Sequence, residues 1–540
     1  MKDISSTGSF IDFTLENYIY VDKTEYIPKL VKLKRVFISR PRRFGKSLTL
    51  DTIATLFETG VEPYFKGTWI YDKWTEPTYP VFRLSFLNLD NSSMDLFKKQ
   101  LNSKITEFAN KISVKGYVEK TEPEDSILSL LEKLEEETRQ IVILIDEYDY
   151  QLTSNINHDD LYKQFQQKIK RFYANIKDKF AIKFLGITGV TRLKDVAIFS
   201  VGSDIRDITN SSAYSQMIGF TRDEIKKFYI DHLKLAASYE NNCSVDDVTD
   251  TQIESLLDRL AQNYDGYCFD EDYEKKVFST WSVNTFFQTM VGKKKVQFGE
   301  YWYDNGGLPS ILVNYLKTHE LNIFEYLDKD KFLKVSSDDF KNPTALTTIN
   351  QNVLMCQTGY LTLRSDLNKT STVALGIPNG EIYKALNRLL ANNIFKGNTD
   401  ITDDYGRSLL EVGTVDDIIN LFNSALNSVS YDNYPIVSES SVQNMLKLYL
   451  LGAHQKVLSE VHEAKGRADL VVNTDNRRIV FEFKYAKNET EAKSKLLDAV
   501  EQIKTRDYGN IVPNKTELLR IATVFNADPK VRAFTEYQLV

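Results

Sequence analysis

The 540-residue sequence lacks any apolar run approaching the roughly 20 residues that span a bilayer. Its uninterrupted apolar runs are of the length of Ile141 to Ile145, and the opening MKDISSTGSFIDF has no hydrophobic segment of the signal-peptide kind. No membrane partner is expected, and a cytoplasmic location follows as the default. Cysteine is scarce: Cys243, Cys268 and Cys356 lie too far apart for a C-x-x-C metal or redox pattern, and disulfides are not expected in that compartment. The five histidines form no cluster that suggests zinc. With only 12 prolines and 23 glycines, disorder is not expected to dominate. A strong positive balance is missing too. The net charge of −7 argues against a basic coat for nucleic acid, although the balance is uneven, −9 over residues 1–435 and +2 over 436–540.

What is present is a globular composition, 42% hydrophobic and 12% aromatic. The length exceeds one hydrophobic core, so about two to four domains are expected. Over the first 210 residues, short apolar runs alternate with longer amphipathic stretches. VFIS (36–39), VFRLSF (81–86), IVILI (141–145) and AIKFLGITG (181–189) read as buried strands separated by crossover helices, an α/β organisation with a largely parallel sheet. Segment 124–140 carries Ile127, Leu128, Leu130, Leu131 and Leu134 at helical spacing and then turns acidic, as a solvated helix face does. From about 211 to 435 the pattern is mainly helical, with aromatic-rich loops NYDGYCFD (263–270) and YWYDNGGLPS (301–310). After about 436 a helix-like stretch, short alternating strands, another helix and a last strand read as a separate small α/β domain.

FISRPRRFGKSLTL (37–50) ends as a phosphate-binding loop ends, with Gly45-Lys46-Ser47, but the G-x-x-x-x-G-K-[ST] spacing asks for glycine where Arg40 stands. Gly-Lys-Ser alone is common by chance. Its context gives it weight: VFIS delivers the loop, and SLTLDTIATLF continues it as a helix with Leu48, Ile53, Leu56 and Phe57 on its apolar side and Gly60 as its stop. Backbone amides of Arg43, Phe44, Gly45, Lys46, Ser47 and Leu48 then surround an anion at the helix N-terminus. In this reading Lys46 reaches the β/γ-phosphates and the Ser47 hydroxyl binds Mg²⁺. About a hundred residues on, IVILIDEYD is a hydrophobic strand ending in acids, Asp146 to hold Mg²⁺ and Glu147 to polarise the attacking water of ATP hydrolysis. The missing early glycine changes loop shape more than anion recognition. The arginines at 40, 42 and 43 either add phosphate contacts or face solvent.

YVDKTEYIPKL (20–30), FISRPRRFGKSLTLDTI (37–53), ILIDEYD (143–149), GITGVTRL (186–193) and GFTRDEI (219–225) together resemble the AAA-ATPase-like family of bacterial proteins. In that family the R-P-R-R-F-G-K-S loop is usual, so the resemblance makes Arg40 a family trait. It covers about residues 5–225. It departs at FSVGSDIRDIT (199–209), where the family tends to have an S-G-L-N-N pattern, which leaves Thr188, Asp204 and Arg206 as sensor candidates only.

GRADLVVNTDNRRIVFEFKYA (466–486) reads as a β-hairpin with its turn at Asn473 to Asn476. Glu482 and Lys484, two apart, share one face, with Phe481 and Phe483 on the other. A turn centred between Thr474 and Asp475 pairs Val472 with Arg477 and sets Asp469 opposite Val480, diagonal to Glu482 on the same face. Two carboxylates so placed can hold Mg²⁺ against a phosphodiester while a lysine handles the attacking water. Asp and Glu-x-Lys are also frequent on exposed strand faces.

VLSEVHEAKGRADLVV, IVFEFKYA, AVEQIKTRDY and IATVFN in succession resemble the PD-(D/E)xK nuclease domain that commonly follows this ATPase-like domain, and QTGYLTL (357–363) and LGIPNGEIYKAL (375–386) resemble its connecting region. The resemblance implies metal and catalytic roles for Asp469, Glu482 and Lys484, a helix motif of Gln502 with Tyr508, and an upstream metal-site acid at Glu460, with which Glu463 competes. Ala468 stands where the superfamily name has proline. The expected domains are an AAA-like ATPase at 1–225, a helical lid and connecting region at 226–435, and a restriction-endonuclease-like α/β domain at 436–540. The expected function is ATP-driven control of a Mg²⁺-dependent nuclease acting on nucleic acid, DNA in the first place, with oligomerisation left open. The alternative is a nucleotide-driven regulatory or interaction protein whose nuclease-like domain binds without cutting.

Overall fold

The apolar runs are strands β1 (Arg35–Ser39), β2 (Val81–Ser85), β3 (Ile141–Asp146) and β4 (Ile182–Gly189). The computed structural model describes the chain except residues 194–203, 303–309, 317–322, 344, 370, 396–404, 454, 464–465, 507 and 509–516, and except the side chains of 310, 405, 407, 456, 459, 460, 462 and 463. β1 is buried throughout and β3 in all but its last residue, as aliphatic strands covered on both faces must be. A short edge strand, β5 (Arg206–Asp207), completes a sheet in the order β2-β3-β4-β1-β5, parallel at every pairing. Helices Lys46–Thr59, Met94–Lys111, Pro123–Glu136 and Asp159–Ile176 make the crossovers that parallel pairing requires. Pro123–Glu136 buries Ile127, Leu130, Leu131 and Leu134, the stripe read from the sequence. Because β4 lies between β1 and β3, the loops after all three strands open along one edge.

The chain divides into two compact units, residues 1–319 with 332–382, and residues 320–331 with 383–540. The stretch read as one connecting region, 226–435, is thus shared between them. In the first unit the helices from Arg222 to Lys293 pack around Leu233, Leu256, Leu257, Tyr264, Phe286 and Phe287, all fully buried. This part is not helical alone. It holds an antiparallel sheet of β6 (Leu333–Ser336), β7 (Thr362–Leu363) and β8 (Thr372–Gly376), in the order β6-β8-β7.

The second unit holds β9 (Lys456–Glu463), β10 (Gly466–Asn473), β11 (Arg477–Ala486), β12 (Glu517–Asn526) and β13 (Ala533–Leu539), in the order β13-β12-β11-β10-β9. β11 and β12 run parallel and the other pairs antiparallel. Helix Glu489–Arg506 makes the β11–β12 crossover and lays Ala499, Val500 and Ile503 on Val480 and Ala522 of the sheet. Two strands follow this helix, not one, because a turn at Asp528, whose carbonyl accepts the Val531 N–H at 2.8 Å, returns the chain as β13. The architecture is α/β: a P-loop-type parallel sheet, a mainly helical middle, and a small mixed sheet. Among the described residues no helix is long and apolar enough to cross a membrane.

Candidate nucleotide pocket and candidate metal centre

The loop after β1 turns into helix Lys46–Thr59 at Gly45, whose φ is +98°. A Cβ on Gly45 would meet nothing within 4 Å, so it is the left-handed backbone and not lack of space that calls for glycine. Arg40 is neither a phosphate ligand nor a solvent-facing side chain. Only 1% exposed, it donates to the carbonyls of Ser39 (2.9 Å) and Thr209 (2.6 Å) and lies 4.1 Å over the ring of Phe269. Burial pushes its pKa down, opposed by the charge of Asp207. Arg40 therefore ties the start of the loop to Thr209, in the segment after β5. Arg43 stacks 4.3 Å over Trp281, and its carbonyl accepts the Thr280 hydroxyl at 2.9 Å.

Lys46 is 6% exposed and donates to the carbonyls of Arg40 and Pro41, 2.9 Å each, so it braces the loop from within. Burial lowers its pKa, countered by Asp146, Glu147 and Asp149. The Ser47 hydroxyl donates to Asp146 Oδ2 at 2.5 Å, and the Thr188 hydroxyl from the end of β4 donates to Asp146 Oδ1. Two sequence-distant hydroxyls thus meet at the Asp146 carboxylate, an oxygen set of the kind that hard cations take. Glu147 stands at φ +52° with Oε2 buried and without a hydrogen-bond partner among the described residues. Burial, then the charge of Asp146, raises its pKa. Asp149 plays a different part: it is buried and accepts the Thr191 amide and hydroxyl, 2.6 Å each. It fastens the loop after β3 to the loop after β4.

Of these groups Arg43, Lys46, Ser47 and Glu147 line a pocket of about 500 Å³, within the range of small-molecule and cofactor sites. Residues 42–49 form its polar end; Ile19, Tyr20, Val21, Tyr26, Ile27 and Met217 form an apolar end suited to a base and sugar. Leu48 borders this pocket and is half-buried, whereas Ile53, Leu56 and Phe57 enter the core. Sequence reading missed what supports the loop from the middle of the chain. Phe44 packs edge-on against Tyr267 and Phe269 of the aromatic loop, at centroid distances of 4.7 and 5.6 Å. The Arg192 amide donates to Gln357 Oε1 at 3.2 Å, and Trp302 Nε1 to the Arg42 carbonyl at 3.4 Å. The signal available was the aromatic and glycine content of 263–270 and 357–360. The loop YWYDNGGLPS lies mostly outside the described residues.

In the second unit the hairpin turns about Asp475–Asn476, with the Thr474 N–H donating to the Arg477 carbonyl at 2.9 Å. The register is therefore two residues from the one expected: Val472 pairs with Ile479 and Val471 with Val480. Because the shift is even, faces are preserved, and continued past Leu470–Phe481 it sets Asp469 opposite Glu482 and not diagonal to it. Asp469 Oδ2 accepts the Phe483 N–H at 2.9 Å. Glu482 is 0% exposed; Oε1 accepts from Lys484 Nζ at 2.9 Å, while Oε2 is buried without a hydrogen-bond partner among the described residues. Burial, and next the Asp469 charge, lift its pKa to about 7. Burial alone would depress Lys484, but the bond to Glu482 and the nearby acids carry its pKa above the ordinary value. Among the described residues no three His, Cys, Asp or Glu side chains form a cation cluster, so the described acid set is this pair.

Gln502, from the crossover helix, donates to the Tyr508 hydroxyl at 3.3 Å, joined by Arg506 Nη1 at 2.9 Å. The helix motif is thus assembled on a buried tyrosine, and Arg506, which the sequence did not single out, is close enough to feel the charges of Glu482 and Asp469. Helix Glu439–Gly452 brings two more unforeseen groups. Glu439 lies 3.5 Å from Lys484 Nζ, and Gln443, one turn on, donates to the Asp469 carbonyl. Their four-residue spacing on one helix face was the available signal. Glu460 and Glu463 lie on β9, with side chains outside what the structure describes.

Residues 5–199 match the AAA-ATPase-like family, described as a predicted AAA-ATPase, and residues 437–534 match the PD-(D/E)XK nuclease superfamily. An uncharacterized protein in the vnfD 5′ region of Azotobacter chroococcum mcd 1 is 26% identical over 509 residues, spanning 92% of this chain and 90% of its own. CDC6P from Pyrobaculum aerophilum aligns at 11% identity over 69% of this chain and 96% of that one, with a TM-score of 0.24, too low to bear on the fold. Both resemblances read from the motifs are borne out: the chain carries an AAA-ATPase-like region at 5–199 and a PD-(D/E)XK nuclease superfamily region at 437–534.

Proposed function

We propose that this protein binds and hydrolyses ATP and that its nucleotide state controls a Mg²⁺-dependent nuclease centre that cleaves nucleic-acid phosphodiesters, DNA in the first place, in the cytoplasm. The observation that carries the reading is the buried Oε2 of Glu482, left without a donor beside Asp469. A carboxylate oxygen kept in the interior without a partner is costly, and a divalent cation is the ligand that two adjacent acids fit. Mg²⁺ bound there would neutralise charge on the phosphodiester and acidify a water. Asp469 and Glu482 would hold it. Lys484, kept charged by its acid neighbours, would orient the water. At the other site Ser47 and Asp146 would hold Mg²⁺, Lys46 would supply positive charge at the β/γ-phosphates, and Glu147, with a raised pKa and one oxygen uncommitted, would take a proton from the attacking water.

The test is to incubate purified protein with plasmid, single-stranded DNA and RNA, each with and without ATP and Mg²⁺. Cleavage of at least one substrate that needs Mg²⁺ and responds to ATP is expected. Tight nucleic-acid binding with no cleavage under any combination would replace this reading with the regulatory one.

A further inference from the structure

The strands whose C-terminal ends carry the nucleotide pocket have a second feature at their N-terminal ends. Arg35 opens β1, Gln140 precedes β3, and Ile182 and Lys183 open β4; all four line a groove of about 710 Å³. The five residues of β1 separate groove from phosphate loop by about 17 Å. The groove draws Lys32, Lys34, Arg35, Lys73, Lys179 and Lys183 together against two acids, Glu76 and Asp178. Lys183 is paired with Glu76 (2.6 Å) and Arg35 with Asp204 (2.8 Å). Lys32, Lys34, Lys73 and Lys179 make no ion pair among the described residues. Lys32 and Lys34 suit the C-terminus of helix Ile27–Leu33, but Lys73 and Lys179 come from separate segments, so a helix dipole does not account for the cluster. In a chain of net charge −7 this surplus runs against the trend.

Phe180 also lines the groove, with 62% of its surface exposed. Its loop is pinned: Arg35 Nη2 donates to the Lys179 carbonyl at 2.9 Å and Gln140 Nε2 to the Phe180 carbonyl at 2.8 Å. Lys73 is committed to the carbonyl and ring of Trp69, which leaves Lys32, Lys34 and Lys179 beside Phe180. An exposed ring held in place beside such lysines is the combination that single-stranded nucleic acid uses, phosphates on cations and a base on an aromatic face.

We infer that this groove binds a single strand of nucleic acid, so that the AAA-like unit grips the polymer itself at a site separate from its nucleotide pocket. The inference rests on the nuclease reading for the identity of the polymer. Its test uses the full-length protein in EDTA, which prevents cutting, titrated by fluorescence anisotropy with a labelled single-stranded oligonucleotide, the corresponding duplex, and poly-glutamate. Lys34→Glu combined with Lys179→Glu should weaken single-strand binding about tenfold or more and reduce the slope of log K against log salt by about 1.4. Phe180→Ala should weaken it about fivefold while leaving the salt slope and duplex binding unchanged. Unaltered ATP affinity and melting temperature would show both variants folded. If the parent binds the single strand and both variants bind it equally well, the groove assignment is overturned and the nuclease reading stands. If the parent binds no single strand in EDTA but cuts nucleic acid once Mg²⁺ replaces the EDTA, the groove assignment is overturned and the nuclease reading stands; if it neither binds in EDTA nor cuts with Mg²⁺, the nuclease reading itself fails and takes the inference with it. Preferential capture of poly-glutamate, lost in the lysine variant, would assign the groove to an acidic protein and overturn the inference.

Discussion

Gly359 and Pro41 pack so closely that a methyl group on Gly359 would lie 2.8 Å from Pro41 Cβ. Pro41 is in the phosphate loop and Gly359 lies 318 residues downstream in the same unit, with φ at +95°. Gly359→Ala therefore meets two penalties, a left-handed backbone and a clash with a rigid ring. A loss of about 1–3 kcal/mol is expected, with ATP affinity falling several-fold because Pro41 cannot give way without moving the carbonyl that Lys46 holds. Gly292→Ala, in open space and at ordinary φ, is the control and should be neutral or slightly stabilising. Thermal melting with and without ATP reads both effects.

Glu147 and Asp149 are two residues apart, and their environments predict opposite outcomes. Glu147→Gln keeps size but removes the uncommitted carboxylate, so ATP should bind and persist, with turnover down roughly a hundredfold or more. Asp149→Asn replaces an acceptor that receives the Thr191 amide and hydroxyl; it should cost about 1–3 kcal/mol and broaden or lower the melting transition. Equal turnover of parent and Glu147→Gln, with Asp149→Asn inactive but fully stable, would move the base to Asp149.

The parallel sheet and the phosphate loop were legible because each has a local signature: aliphatic runs of strand length, and Gly-Lys-Ser between strand and helix. The role of Arg40 was not. Its partners, the Thr209 carbonyl and the Phe269 ring, lie far along the chain, and nothing in R-P-R-R distinguishes a buried guanidinium from an exposed one. The hairpin shows the same limit on a smaller scale. Asp469, Glu482 and Lys484 share a face in either register, so parity was readable, but the choice between Thr474–Asp475 and Asp475–Asn476 as turn centre rests on one backbone hydrogen bond. Glu439, Gln443 and Arg506 sit on helices that reach the centre through tertiary packing, which periodicity alone cannot place.

Glu482 makes stability depend on pH in a direction opposite to that of a salt-bridged surface acid. Its pKa in the folded state is raised from 4.5 to about 7, so the native state holds the proton more tightly than the unfolded chain. Stability from this group is fully present below about pH 4.5 and is lost as pH rises through 7, by about 3 kcal/mol at most. Without divalent cations, the melting temperature of the parent should fall from pH 5 to pH 8 relative to Glu482→Gln, which has no charge to bury. Above pH 7, Mg²⁺ should raise the melting temperature of the parent more than that of the variant. Parallel profiles for the two proteins would show that Glu482 is not the group that titrates.

Separation of the two chemistries follows from the distribution of their residues. Asp469 and Lys484 belong to one compact unit, Lys46, Ser47, Asp146 and Glu147 to the other. Asp469→Ala removes a proposed cation ligand and also the acceptor of the Phe483 N–H, so a small loss of stability should accompany any loss of function. Asp469→Asn keeps an acceptor for that N–H and isolates the charge. Lys484→Ala frees both Glu482 and Glu439 from their shared partner and removes the group assigned to the attacking water. All three variants should cut at least roughly a hundredfold more slowly, and all three should hydrolyse ATP nearly as the parent does, because none touches the nucleotide pocket. Lys46→Ala is the reciprocal case: ATP affinity should fall at least about tenfold, at a modest cost from two lost bonds to loop carbonyls. Its cleavage rate then reports on control. If cleavage by Lys46→Ala no longer responds to ATP, the nucleotide state governs the nuclease centre; if it matches the parent with and without ATP, the two centres work independently. Full-rate cleavage by Asp469→Asn, in protein free of contaminating nuclease, would remove the carboxylate pair from the mechanism altogether.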